Sequence, residues 1–277
     1  LLVMGAACAL AVPFALDLLP GEALALVVPL AQLTPMLAAL LVRHRPGRRR
    51  DALALLVPSG RALTLGLLLA VVVFAAVPVL RAVLGTTLGL VPWSVTAEPL
   101  MVLVALPVVA ILQTLFAIGE ETGWRGWLHT QLAPYGLPVT AVVTSLLWTL
   151  WHLPIVLVLD LGLQNSIAYL GTILAVSPLL TALREVSGTV WPAVIGHGLL
   201  NSLRVAVDQN LLGPAPDAAS RFLLEGIGWS LWFGTALVVA SLARRATVGP
   251  PGRPPHRRRE IACASSTPPV WTTPTTR

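Results

Sequence analysis

The chain alternates long apolar runs with short charged or turn-rich connectors. Runs at about 1–19, 22–42, 62–82, 99–131, 137–159, 165–182, 188–206 and 223–243 approach bilayer length, since a helix rises ~1.5 Å per residue and the hydrocarbon layer is ~30 Å thick. The pattern predicts an all-α fold, a polytopic transmembrane helical bundle of about eight spans within residues 1–245. From Ala246 the chain turns to VGPPGRPPHRRREIACASSTPPVWTTPTTR. A segment so rich in Pro, Thr and Arg cannot bury a core, so residues 246–277 are expected to form a disordered tail.

The connectors set an orientation. RHRPGRRR (43–50), the segment around Arg125, the Arg184 turn and the tail from Arg244 hold most of the arginines, and alternating spans place them all on one side. Cytoplasmic loops carry the excess of basic residues, so the expected protein is integral and multi-pass, in a bacterial plasma membrane with both termini cytoplasmic. Arg81, Arg204 and Arg221 are exceptions on the opposite side. Composition agrees with a lipid setting: 56% of the 277 residues are hydrophobic and 11% charged, with mean hydropathy +0.83. The net charge of +6 lies in blocks between apolar runs and not on a basic face with interleaved aromatics, so no nucleic-acid partner is expected. Cys8 and Cys263 are too far apart in sequence and setting to suggest a disulfide framework.

Three polar islands interrupt the apolar runs, and ionisable groups inside a bilayer are functional candidates by default. GEETGWRG carries Glu120, Glu121 and Arg125; SLLWTLWHLPIVL carries Trp148 and His152; REVSGTVWPAVIGHGLLNS carries His197 and Asn201. Glu121 and Arg125 stand at i and i+4, so they share a helix face and can pair, whereas Glu120 points about 100° away. His197 and Asn201 repeat the i, i+4 spacing, as do Trp148 and His152. The next helix breakers after Arg125 are Pro134, Gly136 and Pro138, so the fourth helix is expected to continue to about 132. Counting inward from the cytoplasmic helix ends then puts Glu120, His152 and His197 at depths of roughly 18, 21 and 14 Å. The islands converge.

That convergence points to hydrolysis. A carboxylate in a low-dielectric pocket, without a cationic partner, suits general-base and then general-acid work on water. Glu120 is the candidate, His152 can hold the same water, and Arg125, His197 and Asn201 can supply donors to a developing oxyanion. No G-x-S-x-G elbow accompanies them. No cofactor is expected. Zinc is the alternative, with Glu120, Glu121, His152 and His197 as candidate ligands, although H-E-x-x-H is absent and Arg125 lies close to Glu121. Trp148 reads as a packing residue, Trp93 and Trp191 as interfacial anchors, and Arg184 and Glu185 as solvated connector residues.

EETGWRGWL resembles the E-E-x-x-x-R motif, WTLWH the aromatic-x-x-x-His motif, and LREVSGTVWPAVIGHGLLN the H-x-x-x-N motif of the CAAX prenyl protease and bacteriocin-processing family, also called CPBP or Abi intramembrane proteases. The resemblance spans about 97–205. It implies an intramembrane endopeptidase in which Glu120 and His152 activate a water, Glu121 and Arg125 complete the first motif, and His197 and Asn201 assist at the carbonyl. The implied partner is a membrane-embedded or lipid-modified peptide or protein, prenylated or bacteriocin-like. Trp148 stands where the family often has Phe, a departure expected to matter little. Two other readings remain: a catalytically idle membrane immunity or binding protein, and a small transporter whose polar islands line an ion path.

Overall fold

The computed structural model describes residues 2–42, 53–57, 60–95 and 98–247. The basic connector 43–50 and residues 248–277, with Cys263 and most of the expected tail, lie outside the described residues. Every apolar run is helical: α1 (Leu2–Ala15), α2 (Leu24–Gln32), α3 (Thr34–Val42), α4 (Arg61–Thr87), α5 (Pro99–Glu121), α6 (Leu137–Trp151), α7 (Leu153–Val158), α8 (Gly162–Ser187), α9 (Trp191–Leu199), α10 (Val205–Asn210) and α11 (Ala218–Thr247). Among the described residues there are no strands, and Trp93 and Leu212 form one isolated antiparallel bridge. The fold is an all-α membrane bundle.

Among the described residues six stretches are long and apolar enough to cross a membrane: Gly21–Val42, Arg61–Thr87, Leu100–Tyr135, Leu137–Val158, Gly162–Ser187 and Ala218–Arg244. The other two runs form α1, of 14 residues and so only ~21 Å long, and the rod over 191–210. The rod is central. Pro192, Ala193, Val194, Gly196, His197 and Gly198 of α9 are buried, and α9 packs against α4, α5 and α8. By contrast α5 turns Leu100, Met101, Leu103, Val104, Val108 and Ile111 outward. An apolar wall of that length has lipid as its solvent.

Breaks in the helices have local causes. Pro35 cannot donate an amide to continue α2 into α3, and Leu33 bends the chain between them. The bend fits against α5 because Gly119 has no side chain: a Cβ there would lie 2.5 Å from the Gln32 carbonyl oxygen and 2.9 Å from the Leu33 Cα. After Glu121 the rod widens into a π-helix over Thr122–Leu128, then runs on through His129–Leu132. The helix therefore passes through the charges to about 132, as the sequence predicts. Pro154 likewise separates α6 from α7 at His152. Residues 53–57 close one end of the bundle: the Ala54 carbonyl accepts from Val190 N and Thr189 Oγ1, and the Leu55 carbonyl accepts from Trp191 Nε1 at 3.2 Å. Trp191 is thus hydrogen-bonded to the protein as well as sitting near a helix end.

Two expectations need correction. α8 extends through Ser187, so Arg184 and Glu185 belong to a helix and not to a solvated connector; Arg184 Nε donates to the Arg125 carbonyl at 3.1 Å, and Glu185 pairs with His129 at 3.2 Å. α11 runs to Thr247, so its last two residues are the first two of the expected tail segment. Meanwhile two of the three arginines that violate the charge bias have internal work. Arg81 is buried and donates to Asp208 on α10 at 2.6 Å and to Glu225 on α11 at 2.8 Å, while Arg204 donates to Asp208 at 3.2 Å. Gly228 leaves the room that Arg81 occupies.

Removing Arg81 strands Glu225 and leaves Asp208 with Arg204 alone. Arg81→Ala is expected to destabilise the protein by about 2–3 kcal/mol, below the ~3–5 of a fully buried pair because Asp208 is partly exposed. Thermal unfolding in detergent reads this out, with exposed Arg221→Ala as the control that leaves the midpoint in place.

Candidate active site

The two glutamates of the first island face different partners. Glu121 is fully buried, and its Oε1 accepts from Arg125 Nη1 at 3.0 Å and from His197 Nδ1 at 2.8 Å. The i, i+4 pair predicted from spacing is present, with His197 added to it. Arg125, also fully buried, donates from Nη2 to the Oγ of Ser177 at 2.7 Å and to its carbonyl at 3.3 Å. Its guanidinium carbon lies 4.3 Å from the centre of the Trp148 ring, a cation–π contact that strengthens where water is excluded. Glu120 is equally enclosed, yet among the described residues no cation pairs with it. Its Oε1 accepts from Gln32 Nε2 at 2.9 Å and its Oε2 from Trp148 Nε1 at 2.7 Å.

The histidines are oriented by what their Nδ1 atoms find. At the break before Pro154, His152 N donates to the Thr149 carbonyl, which leaves the Trp148 carbonyl for the side chain, and His152 Nδ1 lies 2.8 Å from it. A carbonyl only accepts, so Nδ1 carries the proton and the neutral ring presents Nε2 as an acceptor. Edge contacts with Trp148, Trp151 and Tyr169 hold the ring in place. His197 commits Nδ1 to Glu121 in the same manner, leaving Nε2 as its other edge. Asn201 lies one turn on, in a second π-helical segment, Leu200–Arg204, and donates to Gln113 Oε1 at 3.4 Å. π-turns are rare and concentrate at functional sites, and both of these fall in the polar islands.

A cavity of about 520 Å³ joins these groups. Glu120, His152, His197 and Asn201 line it, with Gln32, Trp148 and Tyr169, whereas Glu121 and Arg125 do not. The six nominated residues thus divide into four at the cavity and two behind it, where they brace the wall. Arg125 consequently does not face the space where an oxyanion would form, and the donor role considered for it is withdrawn in favour of bracing. Sequence reasoning missed Gln32, Ser177 and the role of Trp148. Trp148 is not only packing, because its indole N–H holds Glu120 and its face holds Arg125, and the family's usual Phe would lack that donor.

A zinc site that includes Glu121 does not suit this arrangement. Among the described residues no three His, Cys, Asp or Glu side chains come together as metal donors. His197 Nδ1 and Glu121 Oε1 are committed to each other, and Arg125 occupies the same oxygen. The chemistry below is therefore derived from the side chains alone.

Residues 99–203 match the family model described as Rce1-like, the type II CAAX prenyl endopeptidases. The matched segment belongs to that family. No curated protein matches the chain. All six nominated residues fall inside the CAAX-protease segment; Gln32 falls outside it. At the family level the assignment is to CAAX-type intramembrane proteases, which act on membrane-associated peptides.

Neutralising Glu121 would leave the buried Arg125 without its counter-charge and give His197 only a neutral amide oxygen to donate to. Glu121→Gln is expected to cost about 3–5 kcal/mol, the usual consequence of breaking a buried ion pair by removing one member. A lowered unfolding midpoint in detergent is the expected reading; an unchanged midpoint would show that the pair does not brace the wall.

Proposed function

We propose that the chain is an intramembrane endopeptidase that hydrolyses a peptide bond of a membrane-associated substrate, of the prenylated or bacteriocin-like kind. The observation that carries this reading is the contrast between the carboxylates: Glu121 is tied to a buried cation, while Glu120 lines the cavity and is held by neutral donors alone. An idle binder has no use for a carboxylate anchored yet unneutralised beside the free Nε2 of a histidine.

The steps follow from what each group can donate or accept. Water binds between Glu120 and His152 Nε2. As its oxygen attacks the scissile carbonyl carbon, one proton passes to the Glu120 carboxylate and the carbonyl π electrons move onto oxygen. Asn201 Nδ2 donates to that oxyanion, and His197, held through Nδ1 by Glu121, lines the cavity beside it. The intermediate collapses with cleavage of the C–N bond, Glu120 returns its proton to the leaving nitrogen, and an amine and a carboxyl product remain. No metal ion takes part in this scheme.

We place the protein in a bacterial plasma membrane with residues 1–245 as its membrane domain and the tail and both termini cytoplasmic. The arginine-rich connectors support that orientation. So does the pairing of Arg81 and Arg204, two of the three exceptions to the charge bias, with carboxylates of the bundle.

Glu120→Gln keeps the shape of the side chain and removes its basicity, so turnover should fall by at least about 100-fold while membrane insertion is unchanged. Mass-spectrometric comparison of membrane peptides from cells carrying the active chain or the variant tests the activity and identifies the substrate; cleavage at near-normal rate by the variant rejects Glu120 as the base. Purified active protein is also expected to hold well under one zinc per chain and to keep its activity after chelation. Stoichiometric zinc, with activity lost on removal and regained on return, would mean that Glu120, His152 and His197 are ligands first.

A further inference from the structure

Among the described residues, Gln32 is the one hydrogen-bond partner of the Glu120 side chain from outside the CAAX-protease segment. It ends α2, is 9% exposed, and its amide reaches across to Glu120 Oε1 at 2.9 Å. Its position has been built from both sides: Pro35 stops the helix just beyond it, and Gly119, next to Glu120, admits its backbone to within a distance that no Cβ would allow. We infer that Gln32 is a positioning residue for catalysis, holding the Glu120 carboxylate in the plane from which it takes the proton of water. The inference rests on the reading of Glu120 as the base.

The geometry explains why an amide serves here. A carboxylate offers about two acceptor sites on each oxygen. Gln32 occupies one site on Oε1 and Trp148 one on Oε2, so the group is fixed at both ends and a site on each oxygen is still open. Amide and indole N–H groups donate without a full charge, so they hold the carboxylate without competing for its negative charge as Arg125 does for Glu121. With Trp148 alone the carboxylate could swing about its bond to Cγ, and the fraction of time spent in line with the bound water would fall. Misplacement of a reacting group by a fraction of an ångström suffices to slow an otherwise intact site. The α2–α3 bend therefore belongs to the active site, although its sequence lies some 67 residues before the matched segment begins.

The test uses the full chain in lipid nanodiscs and two variants, Gln32→Met, which keeps length and loses the donor, and Gln32→Leu as a second apolar replacement. Thr34→Val, on the same bend, is the control. The infrared carboxylate stretching band of Glu120, identified as the band lost in Glu120→Gln, should move in the Gln32 variants and stay in place in the control. With the peptide substrate found by the membrane comparison, kcat should fall about 10- to 100-fold, the worth of one hydrogen bond to a charged group, while KM stays within about twofold. If Glu120→Gln is inactive but the Gln32 variants leave either the band or kcat unchanged, the positioning role is overturned and the contact is structural. An equal loss in Thr34→Val would also overturn it, since the bend and not the amide would then matter. Should Glu120→Gln itself remain active, the water-activation reading fails, and with it the catalytic role of Gln32, even if the band moves.

Discussion

A guanidinium with no access to water must be satisfied by its surroundings, and Arg125 imposes that demand on most of the polar interior. Its contacts fix Glu121 one turn back on its own rod, Ser177 on α8 and the ring of Trp148 on α6. Glu121 then fixes His197 on α9, so a single buried cation ties four helical rods into one arrangement. Charges cost several kcal/mol each in such a medium unless paired and hydrogen-bonded. The same cost that makes the cluster expensive to build makes it hard to rearrange, and a cavity wall needs that property if groups on different helices are to meet one substrate bond.

The division of labour between adjacent glutamates follows from helix geometry. Consecutive residues point about 100° apart, so a single cation one turn on can hold Glu121 but leaves Glu120 to other partners. Those partners are an amide and an indole, and the difference between a neutralised and an unneutralised carboxylate arises within two residues of chain. Gly119, Gly123 and Gly126 share a third face of the same rod, where side chains would collide with Gln32, Pro35 and Leu53. The motif thus combines a face that binds the N-terminal helices, a face that braces the bundle and a face that opens to the cavity.

Local spacing made much of this legible. The Glu121 to Arg125 pair, the continuation of the rod past the charges and the meeting of Glu120, His152 and His197 at one cavity all follow from 3.6 residues per turn and the placing of Pro and Gly. The eight apolar runs are likewise eight helical rods, although only six have the length and apolarity of a span. What spacing does not encode is which rods touch. Gln32 is a lone polar residue in an apolar helix, 88 positions before its partner, and nothing local connects the two. Arg81 looked like a breach of a topological rule because its acidic partners lie on other helices. Helix ends, too, are poorly marked where hydropathy fades gradually, which is how Arg184 was read as a connector residue.

Trp148 shows how a small departure from a family pattern alters a site. The usual Phe would pack beneath Arg125 and edge-on to the histidines, but it has no N–H to offer. With Trp, the second oxygen of Glu120 gains a donor, and the carboxylate is held at both ends instead of one. The apolar side of the cavity is built by other parts of the chain: Leu10 and Phe14 of α1, Val28 of α2 and Ile155 of α7 face the polar groups of α5, α6 and α9 across it. A peptide bond presented to Glu120 would therefore lie between a wall that can do chemistry and one that can only exclude water and receive apolar groups. Hydrolysis requires that one water be admitted and the rest kept out, because a carboxylate fully solvated by bulk water gains nothing from a low-dielectric setting. The helices before residue 99 supply that exclusion as well as the amide of Gln32, so the matched segment carries the reacting groups without being the whole of the site.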